Sequence, residues 1–190
     1  MASVSRETTR RSEAPLPILI VPGFGNSGPD HWQSLWQSAL PGCVRVEQRD
    51  WEAPIRAEWV ETLDDAIGRQ PAAPVLVAHS LGCLAVAHWA TAHARPVKGA
   101  LLVAPPDVEE PYTPEAVRGF APIPMARLPF ATILVASRND VYTAFARARG
   151  FADAWGSRFV DCGDAGHINA DAGFGSWPDG ERLLAELRAD

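Results

Sequence analysis

The stretch from Pro74 to Trp89, P-V-L-V-A-H-S-L-G-C-L-A-V-A-H-W, constrains this chain more than any other. Val75 to Ala78 is a run of small and β-branched apolar residues, the pattern of a strand buried on both faces. From Leu81 the spacing changes, and Leu81, Leu84, Ala85 and His88 share one face of a helix. His79 and Ser80 sit at the junction, with Gly82 just beyond. A strand that turns directly into a helix across a serine is a nucleophile elbow, with the pattern G-x-S-x-G. Small residues flank the serine because strand and helix pass close together, and the sharp turn pushes the hydroxyl outward. Here the leading small residue is Ala78, so the match reads A-H-S-L-G. The plain alternative is a tight strand-to-helix turn that happens to hold a serine.

The remaining elements build a frame around that elbow. Leu16 to Val21 reads as a first strand, broken by the loop Pro22-Gly-Phe-Gly-Asn-Ser-Gly-Pro29. Asp30 is the expected N-cap of a helix carrying Trp32, Leu35, Trp36 and Leu40, which Pro41-Gly42 stops. A second strand from Cys43, a helix over Glu58 to Gln70, the elbow and a strand over Val97 to Ala104 follow. Pro105 to Pro129 holds seven prolines, and a connection this long usually serves as a lid or pocket wall. Then come a strand over Ala131 to Ala136, a helix over Tyr142 to Trp155, a strand over Arg158 to Cys162 and a closing helix. This strand–helix alternation with right-handed crossovers predicts an α/β fold. The expected architecture is a three-layer α/β/α, doubly wound parallel sheet of six strands in the order 2-1-3-4-5-6. Function in such sheets collects beyond the carboxyl ends of the strands.

Composition narrows the class of partner. With 190 residues and a formal net charge of −6, the chain suits a single globular domain and has no basic stripe for nucleic acid. Residues 1–14 are expected to be a disordered tail and 15–190 the domain. The tail lacks an apolar core of the signal-peptide kind, and no apolar run approaches the roughly 18 residues that span a bilayer. Cys43, Cys83 and Cys162 are widely spaced in apolar settings, as free thiols of a reducing, cytoplasmic compartment would be. No clustered Cys/His spacing suggests a metal, and no cofactor is expected.

A serine hydroxyl is a weak nucleophile until a base takes its proton. Of the five histidines, His88 and His93 point along the helix away from the elbow, and His79 follows the strand's alternation elsewhere. His31 could approach from the first helical turn. His167 lies in the glycine-flanked loop after the last strand, where an imidazole can reach back over the sheet. A carboxylate must then fix its tautomer. Asp140, after the fifth strand, is the best placed, with Asp107, after the fourth, as its rival. An oxyanion hole needs two donors, and the backbone amides of Leu81 and Phe24 are the candidates, with Gly25 as fallback. Phe24, Gly25, Asn26, Trp51, Pro105, Phe120 and Trp177 are the candidate substrate contacts. Trp32, Trp36, Trp59, Trp89 and Trp155 sit at helical positions suited to the core.

Several segments together resemble a known family. They are V-P-G-F-G-N-S-G-P-D-H-W over Val21 to Trp32, Asp50-Trp51 with Pro54, A-H-S-L-G, Ser137-Arg-Asn-Asp140, and Gly166-His-Ile-Asn169 with Gly-Phe-Gly-Ser-Trp-Pro178. In this order they resemble the YdeN-like serine hydrolases, the small α/β-hydrolase group that includes the retinoblastoma-binding serine hydrolase. The resemblance runs from about Leu16 to Leu187. It implies a minimal α/β-hydrolase lacking the fold's first two strands, with Ser80, Asp140 and His167 as its catalytic triad. The expected substrates are small carboxylic esters, with amides and thioesters open. A non-catalytic protein-binding module on the same scaffold is the alternative reading, although the sequence indicates no particular protein partner.

Overall fold

The computed structural model describes residues 15–189. The expected disorder of residues 1–14 lies outside the described residues. Six parallel strands form one sheet: β1 (Ile18–Val21), β2 (Cys43–Arg45), β3 (Val75–His79), β4 (Gly99–Val103), β5 (Ala131–Ala136) and β6 (Arg158–Asp161). Their order is β2-β1-β3-β4-β5-β6, so the sheet reverses direction of growth between β1 and β3. That reversal is the switch point at which a crevice opens above the carboxyl ends.

Alternation along the strands divides the core in two. Leu19, Val21, Leu76 and Leu102 face one side with helices α2 (Arg56–Gly68), α3 (Leu81–Ala92) and α4 (Phe145–Trp155). Ile18, Ile20, Val75, Val77 and Leu101 face the other, covered by α1 (Trp32–Ala39) and α5 (Pro178–Ala189). Trp32, Trp36, Trp59, Trp89 and Trp155 are all buried in these layers.

Several element ends differ from the sequence reading, each for a local reason. β1 starts at Ile18 because Pro17 has no N–H to give a ladder; its carbonyl still accepts from Val75. α1 is capped by His31, whose Nδ1 accepts from the Gln33 amide at 3.1 Å, while Asp30 stays exposed. α4 begins at Phe145, since Tyr142 and Thr143 are engaged elsewhere. The Tyr142 carbonyl accepts from the Asp107 amide at 2.9 Å, and the Thr143 hydroxyl donates to the Pro105 carbonyl at 2.6 Å.

The segment 105–129 is tied down along its length. Arg147 of α4 pairs with Asp107 (2.9 Å) and with Glu109, whose other oxygen accepts from the Ile123 amide. Arg56 donates to the Ala121 carbonyl, His88 meets the Phe120 carbonyl, and Trp155 donates to the Pro124 carbonyl. A short 3-10 helix, Glu115–Phe120, lies in its middle. The segment forms a wall anchored at 107–109 and 120–124.

Candidate active site

The elbow is built by close packing that only glycine permits on either side of Ser80. A Cβ on Gly82 would lie 2.2 Å from the Val21 carbonyl oxygen, and one on Gly23 would lie 2.7 Å from the Ser80 Cβ. α3 therefore rests directly on the end of β1, and the loop after β1 rests on the serine. Ser80 itself has φ 53° and ψ −127°, a backbone conformation that costs about 1–3 kcal/mol for a side-chain-bearing residue. Such strain is characteristic of the elbow, where it holds the hydroxyl above the sheet. Ala78, at the leading small position, buries its methyl in the core without exposed surface.

The three sequence-selected side chains converge. The Ser80 hydroxyl donates to His167 Nε2 at 2.9 Å. On the other edge of the ring, His167 Nδ1–H donates to Asp140 Oδ2 at 2.9 Å and lies 3.1 Å from Oδ1. The Asp140 side chain is only 4% exposed and that of His167 10%, so the pair is nearly sealed from water. Asp107, the rival acid, faces Arg147 and the Glu109 amide, and its carboxylate is fully engaged there.

Residues outside the expected triad hold this arrangement together. Loops after β5 and β6 are stitched by Ser137 and Asn139: the Ala165 amide donates to Ser137 Oγ at 2.9 Å, and the Gly166 amide to Asn139 Oδ1 at 2.7 Å. Behind His167, the His79 ring meets the His167 carbonyl at 2.9 Å and the Trp32 indole donates to the Ile168 carbonyl at 2.8 Å. Two successive carbonyls of the loop are thus bound, where Gly166 (φ 56°) and Ile168 (φ 49°) turn the chain back on itself. The signal for His79 was its place beside the nucleophile. Nothing in the sequence pointed Trp32 toward residue 168.

His31, His79 and His167 form a row with ring centroids 4.8 and 4.9 Å apart. Burial lowers His31 to about 4, helped by the charges of Arg45 and His167. Burial likewise holds His79 well below the usual imidazole range, with His167 and His31 adding repulsion. Both are therefore neutral near pH 7. Among the described residues, the buried His31 Nε2 has no hydrogen-bond partner.

A cavity of about 700 Å³ opens above Ser80, lined by Phe24, Leu81, Asp140 and His167 and walled by residues of 106–117 and 141–144. Among the described residues, the backbone amides of Phe24 and Leu81 have no protein acceptor, whereas the Gly25 amide is spent on the Trp51 carbonyl at 3.0 Å. Gly25 is thereby removed as a donor.

Four further expected substrate contacts fall elsewhere. Phe120 is fully buried against Trp59 and His88 because the 3-10 helix turns it inward. Trp177 stacks on Trp36 at 5.8 Å and belongs to the core under α1. Trp51 packs on Trp59 and supports the Gly25 turn through its carbonyl. Pro105 is buried beneath the wall, and its neighbour Pro106 lines the cavity in its place. Asn26 does line the cavity, but its Oδ1 accepts from Arg45 and from the Ser27 amide. No group of three or more His, Cys, Asp or Glu residues suited to a metal occurs among the described residues.

The chain is similar to known proteins along most of its length. The family model described as serine hydrolase matches residues 18–186. The protein described as a YdeN-like hydrolase from Pectobacterium atrosepticum is 35% identical over 90% of each chain, with a TM-score of 0.81. The ydeN gene product from B. subtilis shares 18% identity over 92% of this chain and 100% of its own, with a TM-score of 0.74. A monoacylglycerol lipase from Paleococcus ferrophilus shares the fold at 15% identity, over 80% of this chain and 87% of its own, with a TM-score of 0.62. Among curated proteins, none matches the chain. A six-stranded parallel sheet in this order, an elbow serine and the match along almost the whole length lead to one conclusion: the chain belongs to the serine hydrolase family, among its YdeN-like members.

Proposed function

We propose that the protein hydrolyses small carboxylic esters through an acyl-enzyme formed on Ser80. The observation that carries this reading is the continuous hydrogen-bonded line from Ser80 Oγ through His167 to Asp140. In the first half-reaction the Ser80 oxygen attacks the ester carbonyl while His167 Nε2 takes the hydroxyl proton. Asp140 keeps the other nitrogen protonated and stabilises the imidazolium that forms. The carbonyl oxygen, now negative, is held by the amides of Phe24 and Leu81, each worth about 3 kcal/mol in such sites. His167 then returns the proton to the leaving alcohol. In the second half-reaction water attacks the acyl-enzyme by the same route and frees the acid. The burial of Asp140 strengthens its hold on the ring, because the local dielectric is low.

Esters are favoured over amides because their carbonyl is the more electrophilic: the ester oxygen donates less electron density into it than an amide nitrogen does. Three free cysteines accord with a reducing, cytoplasmic setting. The test is intact mass after exposure to a fluorophosphonate, together with turnover of 4-nitrophenyl esters. One covalent adduct on the native protein, none on Ser80→Ala, and ester turnover at least about 10⁴-fold lower in that variant are expected. An unmodified native Ser80 would overturn the reading and leave the scaffold a binding module.

A further inference from the structure

Large apolar side chains that stay in water are normally scattered, and a gathering of them marks a binding surface. Of the seven exposed large hydrophobic residues among those described, four surround the cavity mouth: Phe24 (41% exposed), Tyr112 (95%), Val141 (83%) and Tyr142 (53%). They come from three separate segments, so no single loop's composition explains their meeting. The wall behind them continues apolar through Val108 and Val117. An apolar group seated among these side chains is removed from water on the sides they cover.

The charged groups have a one-sided sign. The lining includes the carboxylates of Asp107, Glu110 and Asp140, and no lysine or arginine. Arg147 offsets Asp107 but is itself shared with Glu109. Asp140 is offset only when His167 carries a proton. Glu110 has no ion-pair partner among the described residues and stands at the mouth beside Tyr112. Each substrate therefore enters past an unbalanced negative charge on an exposed residue at the mouth, an influence that salt weakens.

Resting on the acyl-transfer reading above, we infer that this site selects uncharged or cationic esters with a bulky apolar group and rejects anionic ones, with Glu110 as a specificity-determining residue. Acyl donors bearing several phosphates, such as coenzyme A thioesters, are excluded on the same ground. An anion in the cavity would face Glu110 and Asp140 with no cation to receive it. A neutral group gains burial against Phe24, Tyr112 and Tyr142, and a cation adds attraction to Glu110 and to the aromatic faces.

The experiment compares three 4-nitrophenyl esters of equal acyl length, ending in a tert-butyl, a trimethylammonium or a carboxylate group. With the native protein, kcat/KM for the carboxylate ester is expected at least tenfold below that of the tert-butyl ester. The trimethylammonium ester is expected to equal or exceed the neutral one. In Glu110→Gln the anionic-to-neutral ratio of kcat/KM should rise about threefold and the cationic-to-neutral ratio fall about threefold. Raising ionic strength should compress the native order in the same direction. A structural defect would move all three esters together. Turnover of the carboxylate ester equal to the neutral one, or an order that Glu110→Gln leaves untouched, overturns the inference while hydrolysis stands. Absence of turnover on all three esters overturns the underlying hydrolase reading and this inference with it.

Discussion

The imidazole of His79 lies 2.9 Å from the backbone carbonyl of His167, so the residue before the nucleophile grips the residue that activates it. A carbonyl can only accept, so His79 Nε2 carries the proton and donates it. Its burial among Trp32, His31 and His167 keeps the ring neutral, which spares His167 a cationic neighbour during proton transfer.

His79→Leu removes that donor while keeping similar bulk. It is expected to lower kcat by about 10- to 100-fold with little change in KM, since a small misplacement of a catalytic group costs this much. His79→Gln, which retains a side-chain N–H, should recover a large part of the loss. Steady-state kinetics on the three proteins decides it, and equal kcat in the native and Leu proteins would refute the role.

Asp140 and Asp107 differ in what faces them. Asp140→Asn should reduce kcat by about 10⁴-fold, because an amide no longer secures the His167 tautomer. Asp107→Asn should leave kcat within a few-fold and weaken thermal stability, since Arg147 loses its partner. Loss of activity of equal size in both variants would contradict the assignment.

Gly82 permits α3 to rest on the end of β1. Gly82→Ala brings a methyl into the Val21 carbonyl at 2.2 Å and must displace backbone. A loss of several kcal/mol in denaturant unfolding is expected, in the range of severe overpacking. A midpoint unchanged from the native protein would show that the elbow relaxes easily.

Stability should fall on acidification. His31 binds a proton near pH 6.5 when unfolded but only at about 4 in the fold, so the unfolded state takes up more protons between these values. Unfolding free energy is therefore fully retained above pH 6.5 and declines through the window down to about pH 4, by on the order of 3 kcal/mol from His31 alone. His79, shifted in the same direction, adds to the slope. His31→Asn keeps a side-chain cap and should flatten the decline. A native midpoint that is constant from pH 7 to 5 would contradict it.

Local sequence settled much of this protein. The apolar run and small residues around Ser80 dictated an elbow, because only such residues let a strand and a helix cross so closely. The alternation of elements predicted a parallel sheet covered on both faces, since right-handed crossovers lead there. The strand order is one of several that this alternation permits. Ser80, Asp140 and His167 were legible because each follows a strand, and parallel strands deliver their ends to one rim. What only the tertiary structure decided was how side chains far apart in the chain divide the space between core and cavity. Phe120 and Trp177 occupy irregular segments in which no periodicity says which way a side chain turns, and packing against Trp59 and Trp36 drew both inward. Tyr112, Val141 and Tyr142 were left to form the mouth. The hold of His79 and Trp32 on residues 167 and 168 is equally a product of folding. A backbone carbonyl carries no mark in the sequence of which distant donor will reach it.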